Sequence, residues 1–368
     1  MRRTVRRTVI LILASSLLAP LAHARESFDL DKIKLPKGFR IEVYANVPNA
    51  RSLALGDKGI VFVSTRQGDS VYAVLPRGDA NPEVFEFVKG LDTPNGIAYY
   101  NGDLYIAETG RILRYRNVEA TLATSQPAEI LDVRLPTETY HGWRYLGVGP
   151  DGKLYVSIGA PCNVCDRDAE GFGQIWRMNL DGNGLETYAR GIRNSVGFTW
   201  DPETGEMWFT DNGRDMLGDD VPPGELNRIS RPGMHFGFPF CHGGEILDPE
   251  FGKGRVCADY TPPMQKLGPH VAPLGVKFYT GTMFPPEYRG QIFIAEHGSW
   301  NRSKKIGYRV TLVRLKNGLP VSYEPFAEGW LQGEEAFGRP VDLLVLRDGS
   351  MLVSDDQGGK LYRIYYKE

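Results

Sequence analysis

The chain has 368 residues, 42% of them hydrophobic and 24% charged, with a formal net charge of −2 at pH 7. That composition describes a soluble globular protein and offers no basic face for nucleic acid. One apolar run, Val9 to Leu21, is too short to span a membrane, and no second run of that kind exists.

Met1 to Ala24 opens with Arg2, Arg3, Arg6 and Arg7, continues into that apolar run and ends in Ala22-His23-Ala24. A basic start, a short apolar stretch and a small-x-small site form a secretory signal, so residues 25–368 are expected to act in the periplasm or outside the cell. In an oxidising compartment the four cysteines should pair. Cys162 and Cys165 stand in one short loop, and Cys241 and Cys257 bracket a Gly/Pro-rich stretch, so pairing 162–165 and 241–257 is the simplest of three connectivities. A CxxC also occurs in redox pairs and zinc sites; here no second CxxC and no adjoining helical pattern accompany it, which favours a structural staple.

Leu35 to Tyr44 reads as a strand. After it a strand, tight turn, strand unit recurs. Ser52–Gly59 leads to Ile60–Ser64, Asn95–Gly102 to Asp103–Ala107, and Tyr145–Val148 through Pro150-Asp151-Gly152 to Leu154–Ile158. Ser195–Trp200 leads to Met207–Thr210, Leu274–Phe278 to Gln291–Ala295, and Val341–Leu346 to Met351–Ser354. Six copies at intervals of roughly 40 to 60 residues, with one longer gap, are the mark of four-stranded propeller blades. Glycine and proline break nearly every apolar run, so long helices are not expected. The expected fold is all-β, a six-bladed β-propeller of one domain, with a long insertion at about 214–272. Lys360–Tyr366 is also strand-like, and the N-terminal strand is expected to complete the last blade and close the ring.

Innermost strands line a propeller's central tunnel, so the residue ahead of each one faces the same mouth. That position reads Arg51, Asn95, His141, Arg193 with Asn194, His270 and Arg339. Each alone reads equally well as a solvated loop residue; their recurrence at one place is what argues for a shared cavity. Arginine's planar fork suits carboxylates, so such a ring implies a small polyanion, and a histidine among arginines stays neutral and able to take a proton. Thr210–Asp220 and the following Pro222–Asn227 combine carboxylates with glycine turns, which suits a hard cation such as calcium or simply a solvated loop. Trp143, Trp300 and Trp330 form a possible aromatic wall for a sugar, or pack inside blades. His235 and His242 read as structural, and His297 either joins the site or packs beneath it.

At these residues the chain resembles a known family. Leu35-Pro-Lys-Gly-Phe39, His141 ten residues before Asp151, Gly191-Ile-Arg-Asn194, Asp201 to Asp211, Glu296-His-Gly-Ser-Trp-Asn-Arg302 and Gly338-Arg-Pro-Val-Asp342 are similar to the soluble aldose and L-sorbosone dehydrogenases that use pyrroloquinoline quinone, PQQ. The resemblance implies a six-bladed propeller whose top face holds this tricarboxylate quinone with a calcium ion. It implies His141 as the general base that takes the hydroxyl proton while hydride passes to the quinone. Arg193, Asn194 and Arg339 match cofactor contacts, and Gly213 and Arg214 match residues whose backbone carbonyls hold calcium. The chain departs from the aldose dehydrogenases at Val341, where they have a second arginine, and at Ala160, where they have an acidic residue. Arg51, Arg302 and Lys304 are the candidates to supply the missing charge, with Asn95 beside them.

The expected activity is therefore PQQ- and calcium-dependent oxidation of an alcohol or hemiacetal carbon of a sugar or polyol. No CxxCH haem-attachment site occurs, so the electron acceptor, a quinone or cytochrome, is a separate partner. Two other classes remain: a lactonase-like metal hydrolase using Asn95, Asn194 and Glu296, and a non-catalytic propeller that binds envelope sugars or proteins.

Overall fold

In each of six repeats one five-residue run is buried from end to end: Val61–Thr65, Asp103–Ala107, Leu154–Ile158, Met207–Asp211, Ile292–Glu296 and Met351–Asp355. Short apolar runs rich in β-branched and aromatic residues form strands that are covered on both faces. In the computed structural model, which describes residues 29–78, 80–124 and 127–368, each run is the second strand of a sheet. The expected signal segment, residues 1–24, lies outside the described residues.

Six four-stranded antiparallel blades follow in chain order. Blade 1 is Ala50–Leu55, Val61–Thr65, Val71–Arg77 and Ala80–Val88; blade 2 is Gly96–Tyr100, Asp103–Ala107, Ile112–Tyr115 and Glu129–Ile130. Blade 3 is Leu146–Val148, Leu154–Ile158, Gln174–Met178 and Glu186–Arg190, with Met234–His235 added in parallel at its edge. Blade 4 is Phe198–Trp200, Met207–Asp211, Pro223–Ile229 and Gln265–Pro269, and blade 5 is Pro273–Phe278, Ile292–Glu296, Arg309–Lys316 and Leu319–Glu328. Blade 6 joins Pro340–Val345, Met351–Asp355 and Lys360–Tyr366 to the N-terminal strand Phe39–Asn46, which pairs Phe39 with Tyr366 and Asn46 with Lys360. The ring thus closes with its two chain ends hydrogen-bonded, leaving no open edge at the seam. Among the described residues there is no α-helix, only short 3-10 turns, and no helix long and apolar enough to cross a membrane.

The region expected as one insertion at about 214–272 is in part blade. Pro223–Ile229 and Gln265–Pro269 are the third and fourth strands of blade 4, and the excursion between them is residues 230–264. Proline and glycine at Pro223, Gly224, Gly268 and Pro269 hide these strands from a periodicity reading. The Cys241–Cys257 disulfide staples the excursion, and Cys162–Cys165 closes a loop after blade 3's second strand, so both expected pairs form.

Packing is repeated between neighbours. One apolar cluster fills each junction: Phe62 with Ile106 between blades 1 and 2, Val156 with Ala107 between 2 and 3, Phe209 with Tyr145 between 3 and 4. Trp208 with Ile294, Phe293 with Val353, and Leu352 with Val63 complete the circle. Burying one such side chain is worth roughly 1.5–3 kcal/mol, so each junction is a small core of its own. The first strands meet at the axis, where Gly96, Gly197 and Gly275 each face the next blade's backbone. A Cβ on Gly197 would collide with the Leu274 carbonyl, so these glycines set how closely the blades approach. The half-buried Lys277 ammonium donates to the Tyr145 hydroxyl at 3.1 Å and interacts with the buried Asp342 carboxylate, which ties together blades 3, 5 and 6.

Candidate active site

All first strands start, and all second strands end, at the same face of the ring, and a cavity of about 350 Å³ opens there. Of the residues expected ahead of the first strands, Arg51, His141, Arg193, Asn194, His270 and Arg339 line it. Asn95 stands one layer behind, fully buried, accepting from Arg51 Nε at 2.9 Å and donating to the Arg144 carbonyl at 2.8 Å. Gly213 lines the cavity, whereas the Arg214 side chain turns away to Asp248 at 2.6 Å and Glu250 at 3.1 Å. Arg302 and Lys304 are not among the lining residues: Arg302 bonds the Asp219 carbonyl and lies 3.3 Å from Asp220, and Lys304 is exposed. Trp143 and Trp300 line the cavity, but Trp330 is fully buried against Tyr362 in the blade 5–6 core. Of the other histidines, His297 lines the cavity, while His235 and His242 lie in the stapled excursion.

A second set of lining residues follows the second strands: His297, one of the two places expected for it, Asn212, from the Thr210–Asp220 stretch read for a cation, and Arg66, which escaped the sequence reading, with Asp356 close behind. Each follows the end of a second strand, so the same repeat argument, applied one strand later, finds them: Thr65-Arg66, Asp211-Asn212, Glu296-His297, Asp355-Asp356. Tyr140, Asp215 and Asn301 come from loops that carry no periodic signal.

His141 is buried and held in the left-handed region at φ 51°. Its Nδ1 lies 2.8 Å from the Ala160 carbonyl oxygen. Burial first, then the Arg193 charge, then Arg66, push its pKa well below the ordinary value despite that bond. A neutral ring facing a carbonyl carries its hydrogen on Nδ1, which leaves Nε2 as a lone-pair acceptor. Tyr140 and Trp143 flank the ring, at centroid distances of 4.5 and 5.6 Å. It is the main-chain oxygen of Ala160, not a side chain, that orients the His141 ring.

Arg193 is locked. Its Nε donates to the Asn163 carbonyl at 2.8 Å, Nη2 to Asn163 Oδ1 at 3.0 Å and to Asp215 at 2.9 Å, and Nη1 to the Asn212 carbonyl at 3.2 Å. Asn163 sits between the bridged Cys162 and Cys165, so the staple holds the arginine's anchor. The backbone N–H groups of Arg193 and Asn194 both donate to the buried Asp211 carboxylate, at 2.8 and 2.7 Å.

Across the cavity Arg51 donates to Asp356 Oδ2 at 2.9 Å, and His297 Nε2 stands 2.9 and 3.1 Å from the same carboxylate. Burial takes His297 down to about 4, against the pull of Asp356 and with help from Arg339 and Arg51. Burial alone would raise Asp356, yet His297 and Arg51 hold it far below the usual carboxylate range. With His297 neutral at pH 7, Arg51 supplies the charge and His297 an N–H donor. Arg339 reaches back to the His297 carbonyl at 3.1 Å. Arg66 is different: its guanidinium lies 4.1 Å over the Trp143 ring and bonds no acceptor among the described residues. Burial, then Arg51, lower its pKa to about 10, which still leaves it charged at neutral pH.

The donor set fits a tricarboxylate such as PQQ: four guanidinium groups, three asparagine amides and aromatic side chains surround a volume in the range of ligand pockets. Among the described residues no group of three or more His, Cys, Asp or Glu is arranged to hold a metal. Of the two residues expected to offer main-chain oxygens to calcium, Gly213 lines the cavity and Arg214 is not among the lining residues.

Fold and cavity together define a class: a six-bladed propeller with a cationic, histidine-bearing pocket at one mouth of its axis. The chain belongs to the TrAA12-like family, whose model matches residues 33–367. A Borreliella burgdorferi protein described as uncharacterized is 35% identical over 352 residues, covering 91% of each chain. The fold is shared with the family AA12 carbohydrate-active enzyme of Trichoderma reesei, at TM-score 0.80 and 21% identity over 91% of this chain and 98% of that one. It is shared too with the PQQ domain of pyranose dehydrogenase from Coprinopsis cinerea, in its holo form, at TM-score 0.76 and 19% identity over 90% and 97%.

Proposed function

We propose that the protein is a quinoprotein sugar dehydrogenase, which binds PQQ with calcium in the mouth cavity and oxidises an alcohol or hemiacetal carbon of a sugar or polyol. The observation that carries the reading is a neutral histidine with a free Nε2 in a pocket walled by four arginines. Membership of the TrAA12-like family and the holo Coprinopsis relative support it.

Arg51, Arg193 and Arg339, with Asn194, would hold the three carboxylates, and main-chain oxygens at Gly213 and Arg214 the calcium. When bound, the quinone would supply the acceptor for the two electrons and the carbon-bound hydrogen, and a separate soluble acceptor would reoxidise it. His141 Nε2 takes the hydroxyl proton as the carbon is oxidised; Ala160 fixes the tautomer and stabilises the imidazolium through Nδ1–H. Trp143 and Trp300 give the sugar flat apolar faces. The two disulfides accord with a periplasmic or secreted location.

The hydrolase alternative needs acidic and amide groups free for a metal. Glu296 is fully buried under Arg309 at 2.8 Å and Thr311 at 3.2 Å, and Asn95 is spent on Arg51 and Arg144, which favours the dehydrogenase. The test is dye reduction by the purified protein over a panel of aldoses and polyols, with and without PQQ and calcium. Turnover should require both additions, and His141→Ala should lower kcat by about 10²–10⁴-fold while the PQQ absorbance titration is retained. Absence of any PQQ binding by the wild type would refute the assignment.

A further inference from the structure

Four guanidinium groups face the cavity, and they fall into two kinds. Arg51, Arg193 and Arg339 are each fixed by protein acceptors: Asn95 and Asp356 for the first, Asn163, Asn212 and Asp215 for the second, the His297 carbonyl for the third. Groups locked in this way are preorganised to hold a permanent occupant, because their orientation is set before it binds. They also equal in number the three carboxylates of the quinone.

Arg66 is the fourth, and no acceptor holds it. It is half-buried, with its guanidinium carbon 4.1 Å from the centre of the Trp143 ring, and every one of its N–H donors lacks a partner among the described residues. Burying part of a guanidinium without an acceptor is unfavourable, so its presence calls for an anion that arrives with a ligand. Its position says which ligand. The Trp143 ring that carries Arg66 meets the His141 ring edge to face at 5.6 Å, so the free fork stands one aromatic ring away from the base. The molecule that must come to His141 in every turnover is the substrate.

We propose that Arg66 is a substrate-recognition residue that reads a carboxylate on the sugar, so that sugar acids are the preferred substrate class. The inference rests on the quinoprotein reading, which places the substrate's reacting carbon at His141. A planar fork pairs a carboxylate through two parallel hydrogen bonds, and the cation–π contact with Trp143 would hold the guanidinium beside His141.

The experiment uses the full mature protein loaded with PQQ and calcium, and compares glucuronate and galacturonate with glucose and galactose by dye reduction. The wild type should show a higher kcat/KM for the uronates than for the matching aldoses. In Arg66→Gln that uronate-to-aldose ratio should fall by roughly ten- to a hundredfold, mainly through KM, as expected for one charge-assisted contact. Arg66→Lys should recover part of it. PQQ affinity, titrated by absorbance on both proteins, separates the two roles an arginine can have here. If Arg66→Gln weakens PQQ binding and leaves the ratio unchanged, Arg66 is a cofactor ligand and the proposal is overturned. It is overturned equally if the wild type does not prefer uronates. A wild type that binds no PQQ would instead strike at the quinoprotein reading beneath it.

Discussion

The imidazole Nδ1 of His141 and the carbonyl oxygen of Ala160 are 2.8 Å apart, and this one contact decides which nitrogen of the ring faces the cavity. It also partly offsets the burial and the Arg193 charge that disfavour the imidazolium. Because the folded-state pKa lies well below 6.5, the His141 ring is unprotonated at neutral pH and remains so as pH falls through 6.5. With cofactor bound and a sugar substrate, kcat/KM should stay level down through that pH and decline only below it. An acid limb centred at or above 6.5 would mean that some other group titrates.

Gly159 makes the approach possible. A Cβ at that position would lie 2.7 Å from His141 Cβ and 2.9 Å from its carbonyl oxygen. Gly159→Ala is therefore expected to displace the base and lower kcat by about 10²-fold, the cost of roughly 1 Å of misplacement at a reacting group. The circular dichroism spectrum should be unchanged. Unaltered kcat would show that His141 tolerates the shift or plays no part.

Arg193 hangs on Asn163, and Asn163 on the Cys162–Cys165 bridge. A bridge that closes so short a loop removes little chain entropy from the unfolded state, so its loss should have only a small effect on Tm. The effect should appear at the cofactor. Replacing both cysteines by serine is expected to weaken PQQ binding by about tenfold, measured by absorbance titration, because the Arg193 fork loses its fixed anchor. A large drop in Tm with normal PQQ affinity would assign the bridge to the fold instead.

Asp356 joins Arg51 and His297 across blades 1, 5 and 6. Arg51 is almost completely buried, and removing its partner leaves an uncompensated charge. Asp356→Ala should cost about 3–5 kcal/mol in a denaturant titration. Asp356→Asn, which keeps an acceptor, should cost less; equal losses would show that the carboxylate charge is unimportant. The PQQ titration of the Asn variant should also weaken, since Arg51 is no longer held at both ends.

Much of this architecture is legible in one dimension. Strand, turn, strand units such as Asn95–Ala107 and Leu146–Ile158 carry their own evidence, because alternation and buried runs are local properties, and two-residue turns like Asn101-Gly102 require the positive φ that both residues adopt. Residues ahead of the first strands could be grouped by their place in the repeat, which brought Arg51, Asn95, His141, Arg193, Asn194, His270 and Arg339 to one cavity on paper; all but Asn95, which stands behind Arg51, line it. The strands Pro223–Ile229 and Gln265–Pro269 were hidden by their prolines and glycines, and by the 230–264 excursion between them.

What the sequence alone determined is thus the blade, its repetition and the face on which the chemistry gathers, since each depends on a few neighbouring residues. Which charges are spent was decided only in three dimensions. Arg302 and Lys304 look as cationic as Arg66 in the chain, yet Arg302 turns to Asp219 and Asp220, Lys304 faces solvent, and Arg66 stays unpaired over Trp143. A guanidinium's availability depends on which acceptors distant blades bring within about 3 Å, and that distance exists only once the ring has closed.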